Sequence, residues 1–192
     1  MEGFTLKGRN YRIGKGRAYT RKEYIHGAPQ PKITKFTMGD TTGKFSHKLS
    51  LVSLKRVQIR HNALEAARVA VNKILSEKLG SAYILKIRPY PHIVLRENKM
   101  MAFAGADRLQ EGMRRSFGKA TGLAAQVEVG EPIIDVEVDA PGVDVAKRAL
   151  NTGMSKLPTP CTIEIVTLHT PEKPAPTPHS TLELSTRVAS LG

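Results

Sequence analysis

Apolar residues recur at helical spacing in two stretches of the chain and alternate with polar ones in several shorter runs. From about residue 62 to 79, Leu64, Ala67, Val71, Ile74 and Leu75 share one helical face. Asn62, with Glu65 three positions on, predicts an N-cap and its capping-box partner, and Gly80 predicts the stop. A second helix is predicted over residues 143–157, ended by Pro158, with Val145, Ala149, Leu150 and Met154 as its core stripe. Tyr83, Leu85 and Ile87 alternate with Ile84, Lys86 and Arg88, which predicts a strand with one cationic edge. Pro89 and Pro91 break it, since neither can donate to a ladder. Residues 93–95 read as a second short strand. Residues 125–129 and 133–138 read as strands flanking a turn at Gly130, and Ile134, Val136 and Val138 alternate there with Asp135, Glu137 and Asp139. Residues 161–167 form the last predicted strand, with Ile163 and Ile165 on one face. Two helices and about five strands predict a small α+β core.

Residues 1–50 show neither period. They combine glycine, proline and cations, and alone could bury too little apolar surface to offset the entropy of ordering. Charge singles out the same region. The 192-residue chain has a formal charge of +13, and residues 1–60 carry fourteen Lys and Arg against three acids, a net of +11. Such an imbalance suits a polyanionic partner better than general solubility. The segment is therefore expected to be a separable RNA-binding extension, with Arg9, Arg12, Lys15, Arg17, Arg21, Lys22, Lys44 and Lys48 as its contacts. Six of the ten aromatics also fall in it: Phe4, Tyr11, Tyr19, Tyr24, Phe36 and Phe45. Rings among cations suit stacking on exposed bases, while Phe36 and Phe45 could equally anchor the segment on the core. By contrast, residues 128–144 hold six acids and no base, a stretch expected to point away from RNA.

Several chemistries fall away. The single cysteine, Cys161, excludes an intrachain disulfide and a cysteine-based zinc cluster; opening an apolar strand, it is expected to be an inert packing residue. Its isolation suits a reducing, intracellular compartment. The six histidines show no paired metal-ligand spacing. Gly112 to Lys119 places five residues between its glycines where a phosphate-binding loop needs four, and Ala120 follows the lysine in place of Ser or Thr. No serine lies in a nucleophile elbow. Asp107 and Glu111 could pair as carboxylates, but Arg108, Arg114 and Arg115 beside them make ion pairs the simpler account. No cofactor, small-molecule substrate or membrane span is expected, and the N-terminus lacks the apolar stretch of a signal peptide. An RNA-modifying enzyme using the basic segment for substrate capture is the competing class. It would need a catalytic constellation or cofactor fold.

The most informative run is residues 86–122. It holds eight Lys and Arg against three acids around the small-residue centre Ala102-Phe103-Ala104-Gly105-Ala106. Cations spaced along a pliable loop suit a ligand that is itself a chain of negative charges. Arg88, His92, Arg96, Lys99, Arg114, Arg115 and Lys119 are the candidate contacts. His92, in a cationic proline-rich bend, could stack on a base or pack against Tyr90. Asn98-Lys99-Met100, then residues 104–110 (AGADRLQ), then Gly112-Met113-Arg114 and Phe117-Gly118-Lys119, closely resemble the signature of a universal large-subunit ribosomal protein family. It is named L-sixteen in bacteria and L-ten-e in archaea, and this version resembles the archaeal type. Residues 63–68 (ALEAAR) and Lys156-Leu157-Pro158 also look like family positions.

The resemblance spans roughly residues 4–168 and implies an antiparallel sheet with two packed helices, often described as an α/β hammerhead. It implies a non-catalytic constituent of the ribosome in the cytoplasm, with large-subunit rRNA, tRNA and neighbouring ribosomal proteins as partners. By that resemblance the internal loop, residues 98–119, approaches the aminoacyl-tRNA site and the peptidyl-transferase centre. Ala102, Gly105, Asp107, Arg108, Gln110, Gly112 and Met113 would lie nearest the tRNA, and the peptidyl-transfer chemistry would remain the RNA's own. The expected organisation is a basic extension (1–50), an α+β core (51–168) and a proline-rich tail (169–192) expected to be disordered.

Overall fold

The structure, a computed structural model, describes residue 12, residues 22–97 and residues 118–168. The expected tail therefore lies outside the described residues. Among the described residues, eight strands and two α-helices follow a short 3-10 turn at Lys22–Tyr24: β1 (Thr37–Gly39), β2 (His47–Ser53), β3 (Val57–Arg60), α1 (His61–Leu79), β4 (Ile84–Ile87), β5 (Ile93–Glu97), β6 (Lys119–Val127), β7 (Pro132–Val138), α2 (Val143–Met154), entered through a second 3-10 turn at Ala140–Gly142, and β8 (Cys161–Thr167). They build two antiparallel sheets, one of five strands in the order β1-β4-β7-β2-β8 and one of three in the order β3-β6-β5. The α+β expectation holds, with the strands divided between two sheets.

Register explains the core. Leu49 pairs with Val136 and Leu51 with Ile134, while Leu85 and Ile87 of β4 meet the same two β7 residues. All six are buried, so two apolar rows cross the five-stranded sheet on one face. On that face lies α2, burying Ala146, Ala149, Leu150 and Gly153. Against α2 packs α1, which buries Leu64, Ala67, Val71 and Leu75 and also reaches β3 and β6. The opposite face of the large sheet is polar: Ser50 and Lys86 both pair with Asp135.

The two helices approach closely at Gly153, where a Cβ would sit 2.5 Å from Val71 Cγ2. A β-branched valine has little rotamer freedom to yield. Gly153→Leu is therefore expected to cost about 2 kcal/mol or more by overpacking, seen as a lower urea midpoint at unchanged slope. Gly39 is fixed for a different reason. Its φ is 90°, and a side chain there would overlap the Tyr83 carbonyl oxygen that accepts the Asp40 N–H at 2.9 Å.

Three expectations need correction. The boundary at residue 50 falls inside β2, because Leu49 and Leu51 need the β7 ladder on which to bury themselves. Ile33 is fully buried, Phe45 is buried, and Phe36 packs against the core, so the body of the fold begins well before residue 51. Asn62 does not cap α1: β3 runs straight into the helix, Arg60 occupies the cap position with extended backbone and its side chain does not cap the helix, and Glu65 pairs with Arg68. Strands do flank Gly130 as expected; β6 and β7 belong to different sheets, and the turn carries the chain between them. Finally, β8 is the outer strand of its sheet, so Ile165 remains 45% exposed and Cys161 is only half-buried.

Candidate nucleic-acid interface

The expected cations divide into several groups. Arg12 is exposed, and its carbonyl accepts the Gln58 N–H at 2.8 Å, which ties that residue to the edge of β3. Lys44 is exposed in the loop before β2. Lys22 lies in the short turn Lys22–Tyr24. Arg96 is half-buried on β5, and Lys119 is exposed at the start of β6, paired in register with Glu97. Arg9, Lys15, Arg17, Arg21, Lys99, Arg114 and Arg115 lie outside the described residues, as do Ala102, Gly105, Asp107, Arg108, Gln110, Gly112 and Met113.

Lys48 and Arg88 come together on the polar face of the large sheet. Both converge on Asp135, with Lys48 Nζ at 3.2 Å and Arg88 Nε at 2.5 Å from Oδ2; Ser50 Oγ donates to Oδ1 at 2.8 Å. Asp135 is fully buried, while the two cations keep 25% and 48% of their side-chain exposure. Burial pushes the carboxyl's pKa up, but the bonds from Ser50, Arg88 and Lys48 and the lysine charge outweigh it, so the net shift is downward. Beside them Lys86 Nζ meets Glu137 at 3.2 Å. The acids of residues 128–144 thus include the anchors of the sheet's own cations. Sequence gave no sign of this role for Asp135, because Ser50, Lys48 and Arg88 are distant along the chain.

A second cluster is aromatic. Phe36 and Tyr90 stack with centroids 5.4 Å apart and planes inclined 28°; Tyr90 and His92 stand 4.6 Å apart at 52°. His92 therefore does pack against Tyr90, yet both remain exposed.

The signature run is rooted in the small sheet. β5 ends at Glu97 and β6 begins at Lys119, and these two residues are paired neighbours. Between them, residues 98–117 lie outside the described residues.

Cys161 Sγ bonds the Thr159 carbonyl at 3.5 Å, and burial raises the thiol's pKa to about 11. Little thiolate exists at neutral pH, so thiol labelling of the native protein is expected to be slow. Cys161→Ala is expected to cost about 1 kcal/mol and to leave RNA binding unchanged.

A compact α+β body that carries cations on loops, strand ends and one sheet face has the build of a structural RNA-associated protein. The family described as Ribosomal protein L16p/L10e matches residues 9–164. The Large ribosomal subunit protein uL16 of Hyperthermus butylicus is 55% identical, covering 83% of this chain and 89% of that protein. Its namesake in Staphylothermus marinus is 58% identical over 77% of this chain and 86% of that protein; that of Sulfolobus acidocaldarius is 54% identical over 84% and 94%. The chain belongs to the L16p/L10e family of ribosomal proteins. It is an archaeal-type, non-enzymatic constituent of the large ribosomal subunit, associated with that subunit's rRNA and with other ribosomal proteins.

Proposed function

We propose that this chain, in the cytoplasmic ribosome, binds large-subunit rRNA beside the aminoacyl-tRNA site and helps to position tRNA near the peptidyl-transferase centre. The observation that carries the proposal is the common root of the signature run at Glu97 and Lys119. A rigid two-strand ladder there gives a cation-rich segment a fixed origin from which to reach a distant polyanion. In this reading Lys99, Arg114, Arg115 and Lys119 contact rRNA phosphates at the base of the run. Residues 102–113, with Arg108 at their centre, meet the tRNA. Arg9, Arg12, Lys15, Arg17, Arg21, Lys22, Lys44, Lys48, Arg88, His92 and Arg96 supply further rRNA contacts around the body.

Crosslinking in cell extract, followed by identification of the RNA, tests the rRNA part; recovery of RNA other than large-subunit rRNA would overturn it. Arg108→Ala tests the tRNA part. It is expected to change stability by no more than about 0.5 kcal/mol, as for a surface change, while slowing peptide synthesis by reconstituted ribosomes. Wild-type synthesis rates would remove the tRNA role and leave the rRNA role standing.

A further inference from the structure

We propose that the Phe36–Tyr90–His92 ring cluster, in which Phe36 stacks on Tyr90 and His92 is tilted against it, is a platform on which one unpaired nucleobase of the RNA stacks. The inference rests on the RNA-binding reading above and assigns it a specific subsite.

The stack is held rigidly before any ligand arrives. Pro89 and Pro91 fix the backbone on either side of Tyr90. The His92 N–H donates to the Tyr90 carbonyl at 3.0 Å, closing a tight bend that keeps the two rings together. On the far side the Ile87 N–H donates to the Phe36 carbonyl at 2.8 Å, and the Arg88 N–H donates to the Ile133 carbonyl at 3.1 Å. Phe36 packs on the core, so the series runs from the protein interior outward through Tyr90, 41% exposed, to His92 at the surface. A base added to the outer ring would meet a surface whose ordering cost has already been met in folding.

Charge beside the stack selects the ligand. Lys35, next to Phe36, is exposed, and Arg88, next to Pro89, keeps 48% of its side-chain exposure while Asp135 fixes its position. Rings flanked by an anchored arginine and an exposed lysine match a base with its neighbouring phosphates, as in single-stranded RNA recognition. An apolar protein partner would have no use for that pair of charges. Tyr90 and His92 lie just before β5, the strand whose other end leads into the signature run.

The test compares full-length protein carrying His92→Leu, His92→Phe or Arg88→Ala, titrated against deproteinised large-subunit rRNA at several salt concentrations. His92→Leu removes the outer ring at an exposed position. It is expected to weaken binding about tenfold, within the range for loss of one base–aromatic stack, with the log–log salt slope unchanged because stacking releases no counterion. His92→Phe keeps a ring and should bind within about twofold of wild type, well under the loss expected for removing the stack. Arg88→Ala should reduce the slope instead. In wild-type protein, ultraviolet crosslinking should join an RNA nucleotide to Tyr90 or His92. Unchanged affinity in His92→Leu, or equal losses in the Leu and Phe variants, would overturn the platform. So would crosslinks elsewhere on the protein with none at these rings; all three outcomes leave the RNA-binding reading intact. Absence of any RNA binding by the wild-type protein would remove both.

Discussion

Removal of residues 1–21 is expected to strip the protein of most of its salt-sensitive affinity for rRNA while leaving it folded. The segment carries six Lys and Arg, at positions 7, 9, 12, 15, 17 and 21, against Glu2 alone. If each cation meets a phosphate, the log–log salt slope should fall in magnitude by about 4 to 5 on truncation. Six such contacts correspond to about three decades of affinity between roughly 50 and 200 mM salt, and the truncated protein should lose most of that swing. The position of the cut decides whether the experiment reads binding or folding. Truncation at residue 21 spares Ile33, Phe36, β1 and Phe45, and breaks one described tie, the Gln58 N–H bond to the Arg12 carbonyl. That bond is worth about 1 kcal/mol. Cutting at residue 48 instead would remove a fully buried isoleucine and the strand paired with β4, and the product should fail to fold. Titration of full-length and shortened proteins at several salt concentrations, with circular dichroism as the folding control, checks the prediction. Equal slopes would place the RNA contacts elsewhere.

The reason a cut at residue 48 would fail shows what the sequence carries and what it hides. α1, α2, β4 and β8 are legible because each keeps one period over enough residues to stand out: Leu64, Ala67, Val71 and Leu75 are buried as the helical stripe requires. β1, β2 and β3 are not. β1 is three residues ending in glycine, β3 is four, and the Leu49–Leu51 alternation of β2 is short and sits among cations that mark the region as an extension. The capping box at Asn62 misled for a related reason. It is a local pattern, and the absence of any loop between β3 and α1 overrode it. The signature run names the family, whereas Asp135 could not be found that way. Its partners lie 47 to 87 positions distant, brought to it by sheet register alone.

That carboxylate sets the second large effect. Asp135→Ala is expected to destabilise the protein by about 3 kcal/mol, the lower end for removing one partner of a buried charge cluster. The lower end applies because Lys48 and Arg88 retain 25% and 48% exposure, so water takes over part of their solvation. Asp135→Asn should cost less but still more than a surface change. It can keep an acceptor for Ser50, yet it must turn an amide NH2 toward donors that need an acceptor. The pH dependence follows from the direction of the shift. Because the folded carboxyl's pKa lies below its ordinary value of 3.8, its stabilisation is present above that value and is lost as pH falls through the folded pKa. His61 adds an earlier loss. Its Nδ1 accepts the Lys32 N–H at 3.2 Å, and burial first, then the charges of Lys32 and Arg60, hold its pKa below the ordinary 6.5. A depressed histidine pKa favours the neutral ring, so its contribution is complete above 6.5 and disappears as pH falls through the folded value. Urea midpoints measured from pH 8 to pH 3 should therefore decline in two stages in the wild-type protein. Asp135→Ala should retain the upper stage and lose the lower one, and His61→Gln should do the reverse. A wild-type profile flat to pH 3 would mean that neither buried group couples protonation to folding.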